Sequence, residues 1–213
     1  LPISPKEQAG VKALVAAARE ADGVDPLNEN AWFALRSKRP AIHWVAPSPG
    51  EAWPRGYAQL DPDTRSAIIV VDPAVRRQGV GTELLNLIRA TKKDPTYWAF
   101  GNLPVSQAFA EHNGMHAVRQ LLIMRRDLVK HPVRTGVEDT EPAGVVIRAF
   151  QPEDLNGLVE VNSDAFAGHP EQGDLGVADF EQRMAEPWFD PDGLFLARDD
   201  DTGRLLGYHW TKV

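Results

Sequence analysis

Apolar positions along the chain fall into blocks with two different periods, and each change of period marks an element. In "SPKEQAGVKALVAAAREADGV" Val11, Leu14, Val15 and Ala18 share one helical face. Ser4 with Glu7 three residues on makes a capping-box pattern, and Gly23 supplies the stop. "ENAWFALRS" predicts a second, shorter helix. "AIHWVA" and "GYAQLD" alternate with period two around Pro- and Gly-rich "PSPGEAWPR", which predicts two short strands. "SAIIVVD" is almost continuously apolar, as expected of a strand covered on both faces. The helix after Gly81 buries Leu84, Leu85 and Ile88. "TYWAFGN" then predicts a strand, "VSQAFAEHN" a helix and "HAVRQLLIMRRDL" a final strand.

From Val129 to Gly144 the chain is polar and broken by prolines, which predicts a linker. Beyond it the pattern restarts. "VVIRAF" predicts a strand, "PEDLNGLVEVNSDAF" and "LGVADFEQRMAE" two helices, and "GLFLARDDDTGRLLGYHWTKV" a hairpin around Asp-Asp-Asp-Thr-Gly. The organisation expected is a mixed α/β domain over residues 1–128, a linker over 129–144 and a second domain over 145–213. An internal repeat agrees: Gly56-Tyr57-Ala58-Gln59-Leu60 matches Gly207-Tyr208-His209-Trp210-Thr211. After the first copy the chain runs on to a glycine turn at Arg76; after the second only Lys212 and Val213 follow. The chain also begins at Leu1 and not at Met. We expect a C-terminally truncated fragment, with one complete domain and the N-terminal part of a second.

Composition narrows the chemistry. The 213 residues can fill one large core or two small ones. With 23 basic and 30 acidic residues the net charge is −7, so no global basic field favours nucleic acid. No apolar run approaches the roughly 18 residues of a membrane span, and the N-terminus lacks a signal pattern. The expected setting is the cytoplasm. The absence of cysteine excludes disulfides and thiolate nucleophiles. His43, His112, His116, His131, His169 and His209 show no HxxxH spacing, so no metal site is expected.

The run "VVDPAVRRQGVGTELLNLI" carries the strongest chemical signal. Gly79 and Gly81 stand where the backbone must turn sharply and approach a ligand closely. The amides from Arg77 to Thr82 then open a helix, where unpaired N–H groups and the helix dipole make an anion site. Arg76 and Arg77 would add charge-assisted contacts to phosphate. The pattern is neither the Walker-type loop, which ends in Gly-Lys-Ser/Thr, nor the three-glycine dinucleotide loop.

Strand–"VDPAVRRQGVG"–helix resembles motif A of the GCN5-related N-acetyltransferases (GNAT), which binds the pyrophosphate of acetyl-CoA. The resemblance implies the GNAT fold, a mixed, mostly antiparallel sheet flanked by helices. It also implies that the strand before the turn splays from its neighbour and pairs its backbone with the pantetheine arm. The coenzyme-binding residues would be Ile69, Val70 and Val71 on the strand and Arg77, Gln78, Gly79, Val80, Gly81 and Thr82 in the turn. Further on, "NSDAFAGHPEQG", "WFDPDGL" and "GRLLGYHWTKV" resemble the mycothiol synthase family, tandem acetyltransferases of actinobacteria, and the likeness runs through nearly the whole chain. That family moves acetyl from acetyl-CoA to the cysteinyl amine of cysteinyl-glucosaminyl-inositol. By its pattern Glu29, Glu171 and Lys212 would contact this acceptor.

In the resembled family the second domain carries the chemistry, with a base and a tyrosine acid beyond Val213, so no catalytic residue is expected within this chain. The first domain lacks both groups: no carboxylate lies between Asp63 and Asp72, Ala110 stands where the tyrosine would be, and Met115 replaces the usual phenylalanine. Asp61, Asp63 or Glu111 could substitute for the base. Two other readings stay open. One is a non-catalytic acetyl-CoA-binding domain supporting a catalytic partner, and the other an acetyltransferase for a different small amine. An unpaired sheet edge in the second domain predicts self-association, a partner fragment or local disorder. Trp188, Phe189 and Trp210 read as core aromatics, and "RDDDTGR" as a turn.

Overall fold

The computed structural model describes residues 3–36, 39–48, 50, 53–132, 142–169 and 172–212. They group into two compact units, Leu1–Leu122 and Ile123–Val213. Of the linker expected over 129–144, residues 133–141 lie outside the described residues.

The first unit opens with α1 (Pro5–Asp22). Its ends are fixed as the sequence predicts: Ser4 and Glu7 cap each other's backbone N–H, and Gly23, at φ 70°, donates its N–H to Arg19 C=O. After α2 (Glu29–Leu35) come β1 (Ile42–Ala46), β2 (Gly56–Leu60) and β3 (Ser66–Val71), followed by α3 (Val80–Thr91), β4 (Thr96–Tyr97) and α4 (Pro104–His112). The sheet order is β1-β2-β3-β4; β1, β2 and β3 are antiparallel and β4 runs parallel to β3.

Alternation along β2 and β3 feeds two cores. Tyr57, Ile68 and Val70 pack with Val11, Leu14, Val15 and Leu35 of α1 and α2. Ala58, Leu60 and Ala67 pack with Val80, Leu84 and Ile88 of α3. Gly56 is what lets α3 lie this close, since a Cβ there would meet Val80 Cγ1 at 2.8 Å and Leu84 Cδ1 at 2.9 Å. Between the strands sits a polar group of three, with Tyr57 and Gln59 buried and His43 partly so. The Tyr57 hydroxyl lies 2.7 Å from His43 Nδ1 and donates to Gln59 Oε1 at 3.3 Å. Burial pushes the Tyr57 phenol up and the His43 imidazole down, so both stay neutral near pH 7.

Two expected strands come out differently. "TYWAFGN" pairs only at Thr96 and Tyr97, because Trp98 and Phe100 turn away, stack on each other and pack against the α1–α2 core. "HAVRQLLIMRRDL" forms no strand: Val118, Leu122 and Met124 are 75%, 74% and 89% exposed. Alternating apolar residues need a sheet edge with backbone groups to match, and two-residue β4 offers little of one.

The second unit holds β5 (Val145–Ala149), α5 (Leu155–Ala165), α6 (Val177–Met184), β6 (Leu194–Asp199) and β7 (Leu205–Trp210). β5, β6 and β7 make an antiparallel sheet in that order. β6 and β7 form the expected hairpin, closed by Asp199 N–H to Arg204 C=O and Gly203 N–H to Asp199 C=O. Phe150, Leu158, Phe180, Leu194 and Leu196 make its core. The buried Asp154 carboxylate ties the layers together. It accepts two bonds from Arg148 at 2.7 Å, one from Arg198 at 2.5 Å and one from Gln151 N–H at 2.9 Å. No described helix is long and apolar enough to cross a membrane.

Candidate coenzyme and acceptor sites

The turn after β3 is built from backbone conformation. Asp72 anchors its start: one carboxylate oxygen accepts Ala74 N–H and the other the Trp53 indole N–H. Arg77 then adopts φ 65° and Gly79 φ 88° before α3 begins. A left-handed residue other than glycine is uncommon, and Arg77 is one, two positions before the left-handed Gly79. The first helical bond runs from Glu83 N–H to Gly79 C=O, so the N–H groups of Val80, Gly81 and Thr82 precede it, and no side chain caps them. Arg77, Gln78 and Gly79 are exposed.

The two glycines are needed for different reasons. A Cβ on Gly79 would have nothing within 4 Å, so its requirement is the positive φ. A Cβ on Gly81 would meet the Phe109 ring of α4 at 3.1 Å, so its requirement is space.

β3 beside this turn is open along one edge. Only Ser66 and Ala67 pair with β4, and Trp98 N–H reaches back to Ala67 C=O. Ser66 and Asp72 bond toward β2 and its flanks, so by alternation the backbone groups of Ile69 and Val71 face the side that β4 has left. Val71 C=O is partly taken, accepting from Arg76 Nε at 3.4 Å. The Val70 backbone, by the same alternation, faces β2.

Arg76 does not serve the turn's outer surface as the sequence suggested. Its guanidinium forms a two-point bond with Asp22 at the end of α1, at 2.8 and 2.7 Å. The pair is three-quarters or more buried on both sides, so it fastens the turn to α1. Asp22→Ala should therefore cost about 1–3 kcal/mol in chemical denaturation, leaving the largely buried Arg76 charge without its partner, while coenzyme titration changes little.

No carboxylate projects from β3 in this unit. Asp63 lies in the preceding turn, where Asp61 Oδ1 accepts its N–H, and Asp72 is engaged as described. Glu111 is exposed near the end of α4. Among the described residues no group of three or more His, Asp or Glu side chains could hold a metal ion.

The expected acceptor residues fall in different units. Glu29 is the first residue of α2, after the N-cap Asn28, in the first unit. Glu171 lies outside the described residues. Lys212 follows β7, and its ammonium sits 3.9 Å from the centroid of the Trp188 ring. Trp188 packs at 5.8 Å against Trp210, which stacks on Phe180 and meets Phe189 edge-on; Phe189 and Trp210 pack against the core, while Trp188 stays half-buried at its margin. Sequence spacing gave no sign of the Lys212–Trp188 contact, because it joins two loops that only the fold brings together.

Comparison with known proteins gives the family and the fold. The acetyltransferase (GNAT) family model matches residues 11–115. The chain is 46% identical over 209 residues to a mycothiol acetyltransferase of Thermomonospora curvata, covering 95% of this chain and 68% of the relative. It is 38% identical to the enzyme of that name from Propionibacterium freudenreichii, covering 99% and 66%, and 39% identical to that from Mycolicibacterium vanbaalenii, covering 100% and 69%. The chain thus spans about two thirds of the length of these relatives. A solved GCN5-related N-acetyltransferase from Sphaerobacter thermophilus shares the fold at a TM-score of 0.61 and 21% identity, over 100% of this chain and 70% of the other.

Proposed function

The chain belongs to the mycothiol acetyltransferase family of GCN5-related N-acetyltransferases, and from that premise we propose that it serves transfer of acetyl from acetyl-CoA to the cysteinyl amine of cysteinyl-glucosaminyl-inositol, in the cytoplasm. The observation that supports this most directly is the uncapped start of α3 beside the open edge of β3. Val80, Gly81 and Thr82 supply N–H donors for a pyrophosphate, with Arg77 and Gln78 exposed at its rim. Ile69 and Val71 offer strand hydrogen bonds to the amides of the pantetheine arm, and Val70 braces the strand against β2.

In the reaction the free amine attacks the thioester carbonyl. A C–N bond forms, the C–S bond breaks, the amine proton passes to a base and the thiolate regains a proton. A cysteinyl α-amine titrates at about 7.7, so a modest base is enough. Glu29, Glu171 and Lys212 are the acceptor contacts we propose, carboxylates for the ammonium and sugar hydroxyls and lysine as donor.

The first unit on its own favours a second, narrower reading, that of a coenzyme-binding domain without chemistry. Its β3 carries no acid and Asp72 is held by Trp53 and Ala74. Calorimetric titration of the chain with acetyl-CoA tests both readings; a folded chain that does not bind would defeat them. A turnover assay with the cysteinyl amine then separates carrier from catalyst.

Self-association through the second unit belongs to the same proposal. β5 and β7 are open edges, and Ile123, Met124 and Val129 are among the most exposed apolar residues. Light scattering should find a dimer at micromolar concentration, shifted toward monomer by Ile123→Lys with Val129→Lys. A strictly monomeric wild-type chain would refute this part.

A further inference from the structure

β3 and β4 separate at one residue pair. Ala67 still pairs with Tyr97, and Trp98 N–H donates to Ala67 C=O at 3.1 Å before the chain turns aside. Alternation sends Tyr97 to the α3 core and Trp98 to the α1–α2 core. Phe100 follows Trp98 and stacks on it, with ring centroids 5.8 Å apart and planes 9° from parallel. The turn that carries Phe100 is held in place. Asn102 N–H donates to Ala99 C=O at 3.1 Å, and the Gln107 side-chain amide donates to Asn102 C=O at 3.0 Å. Gly101, at φ 76°, sits against the loop after α1, where a Cβ would lie 2.9 Å from Val24 Cγ1. The Arg119 guanidinium lies over Trp98, 5.6 Å from its ring centroid.

We propose that Trp98, backed by Phe100, is the end wall of the acyl site in the first unit and limits its coenzyme to acetyl. The inference rests on the reading of the open β3 edge as the pantetheine site. With the pyrophosphate on Val80, Gly81 and Thr82, the arm runs back from the turn along β3, its amides opposite Ile69 and Val71. The free edge ends at Ala67, about 13 Å from Val71 at about 3.3 Å per residue, because Trp98 N–H occupies the Ala67 carbonyl. The sulfur and its acyl group therefore come to rest where Trp98 leaves the sheet. On one side of β3 that place is closed by the packing of Ala67 with Leu84 and Ile88. On the other side stand the stacked rings of Trp98 and Phe100, packed against the α1–α2 core. Acetyl ends in a single methyl. A longer chain must push into the ring pair, which the turn at Gly101 and Val24 keeps from retreating, and close-packed groups do not yield without strain.

The test is calorimetric titration of the full chain with CoA, acetyl-CoA and butyryl-CoA, for wild type, Trp98→Ala and Phe100→Leu. Wild type should bind butyryl-CoA at least about tenfold more weakly than acetyl-CoA, the scale on which a fitted site discriminates by a methylene. Trp98→Ala should bring the two within about threefold of each other by strengthening butyryl-CoA, while CoA, which has no acyl group to meet the ring, keeps its affinity. Phe100→Leu should close part of the gap, since Trp98 then has room to shift. Should Trp98→Ala fail to fold, wild type carrying 5-fluorotryptophan supplies the second measurement. The Trp98 fluorine resonance, assigned with Trp98→Phe, should differ between the CoA and acetyl-CoA complexes, and those of the other tryptophans should not. A folded wild type that binds neither CoA nor acetyl-CoA would remove the coenzyme reading and the proposal with it. A wild type that binds both, yet takes butyryl-CoA as tightly as acetyl-CoA, leaves that reading standing and overturns the proposal. A folded Trp98→Ala that still rejects butyryl-CoA overturns it too, as does a Trp98 resonance identical in the two complexes.

Discussion

The Gly79→Val variant should bind acetyl-CoA at least about tenfold more weakly than wild type while keeping its fold. Gly79 sits at φ 88° with open space around its Cβ position, so the side chain itself meets nothing. What it cannot do is hold that backbone angle: a left-handed conformation costs an L residue about 1–2 kcal/mol, and more when the side chain is branched at Cβ. The turn must relax toward negative φ, and the N–H groups of Val80, Gly81 and Thr82 turn with it. Hydrogen bonds from such donors to a charged ligand are each worth about 1.5–3 kcal/mol, so losing the aim of one already explains a tenfold effect. Gly81→Ala should weaken binding too, by another cause. Its new methyl would press on Phe109 at 3.1 Å, so Phe109→Leu should restore affinity to Gly81→Ala and do nothing for Gly79→Ala. Unchanged affinity in a folded Gly79→Val variant would mean that the coenzyme is held elsewhere.

What the sequence made legible was local. Ser4, Glu7 and Gly23 fix α1 because a cap is a matter between residues three or four apart. The glycine turn was legible because backbone conformation is written in residue type. The same holds for the β6–β7 hairpin, whose turn residues stand between two apolar runs. What stayed hidden was non-local. Nothing in the spacing joins Asp22 to Arg76, so Arg76 read as a phosphate ligand until the fold turned it inward. The His43–Tyr57–Gln59 group was passed over because a single histidine among alternating apolar residues carries no motif. Residues 116–128 show the limit most clearly. Alternation gives a strand its two faces, yet a strand exists only where another strand's edge is free to pair, and apolar pattern does not name that edge. The acceptor contacts proposed at Glu29, Glu171 and Lys212 come from family likeness alone, and the contact between Lys212 and Trp188 shows only in the fold.

Asp154→Asn should destabilise the second unit by about 2–4 kcal/mol, the largest stability effect we expect from one residue. The carboxylate side chain is 2% exposed, and it closes a link between β5, α5 and β6 through Arg148, Gln151 and Arg198. Breaking a buried pair from one side leaves charge without compensation, at about 3–5 kcal/mol; the arginines here are near a third exposed, so water recovers part of that. The pH dependence gives an independent check. The Arg148 bonds, the Gln151 N–H and the nearby Arg148 and Arg198 charges hold the Asp154 carboxyl below its ordinary value, against the opposing effect of burial. Its stabilisation is therefore complete above the unfolded value of about 3.9 and is lost as pH falls through the lower folded value. Between those limits wild type should lose stability with acid faster than Asp154→Asn, so the gap between them narrows below about pH 4. Denaturation followed by Trp188 and Trp210 fluorescence, with the other tryptophans replaced by phenylalanine, reports on this unit alone. A gap constant from pH 7 to pH 3 would show that Asp154 contributes by shape and hydrogen bonding, and that its charge adds nothing to the fold.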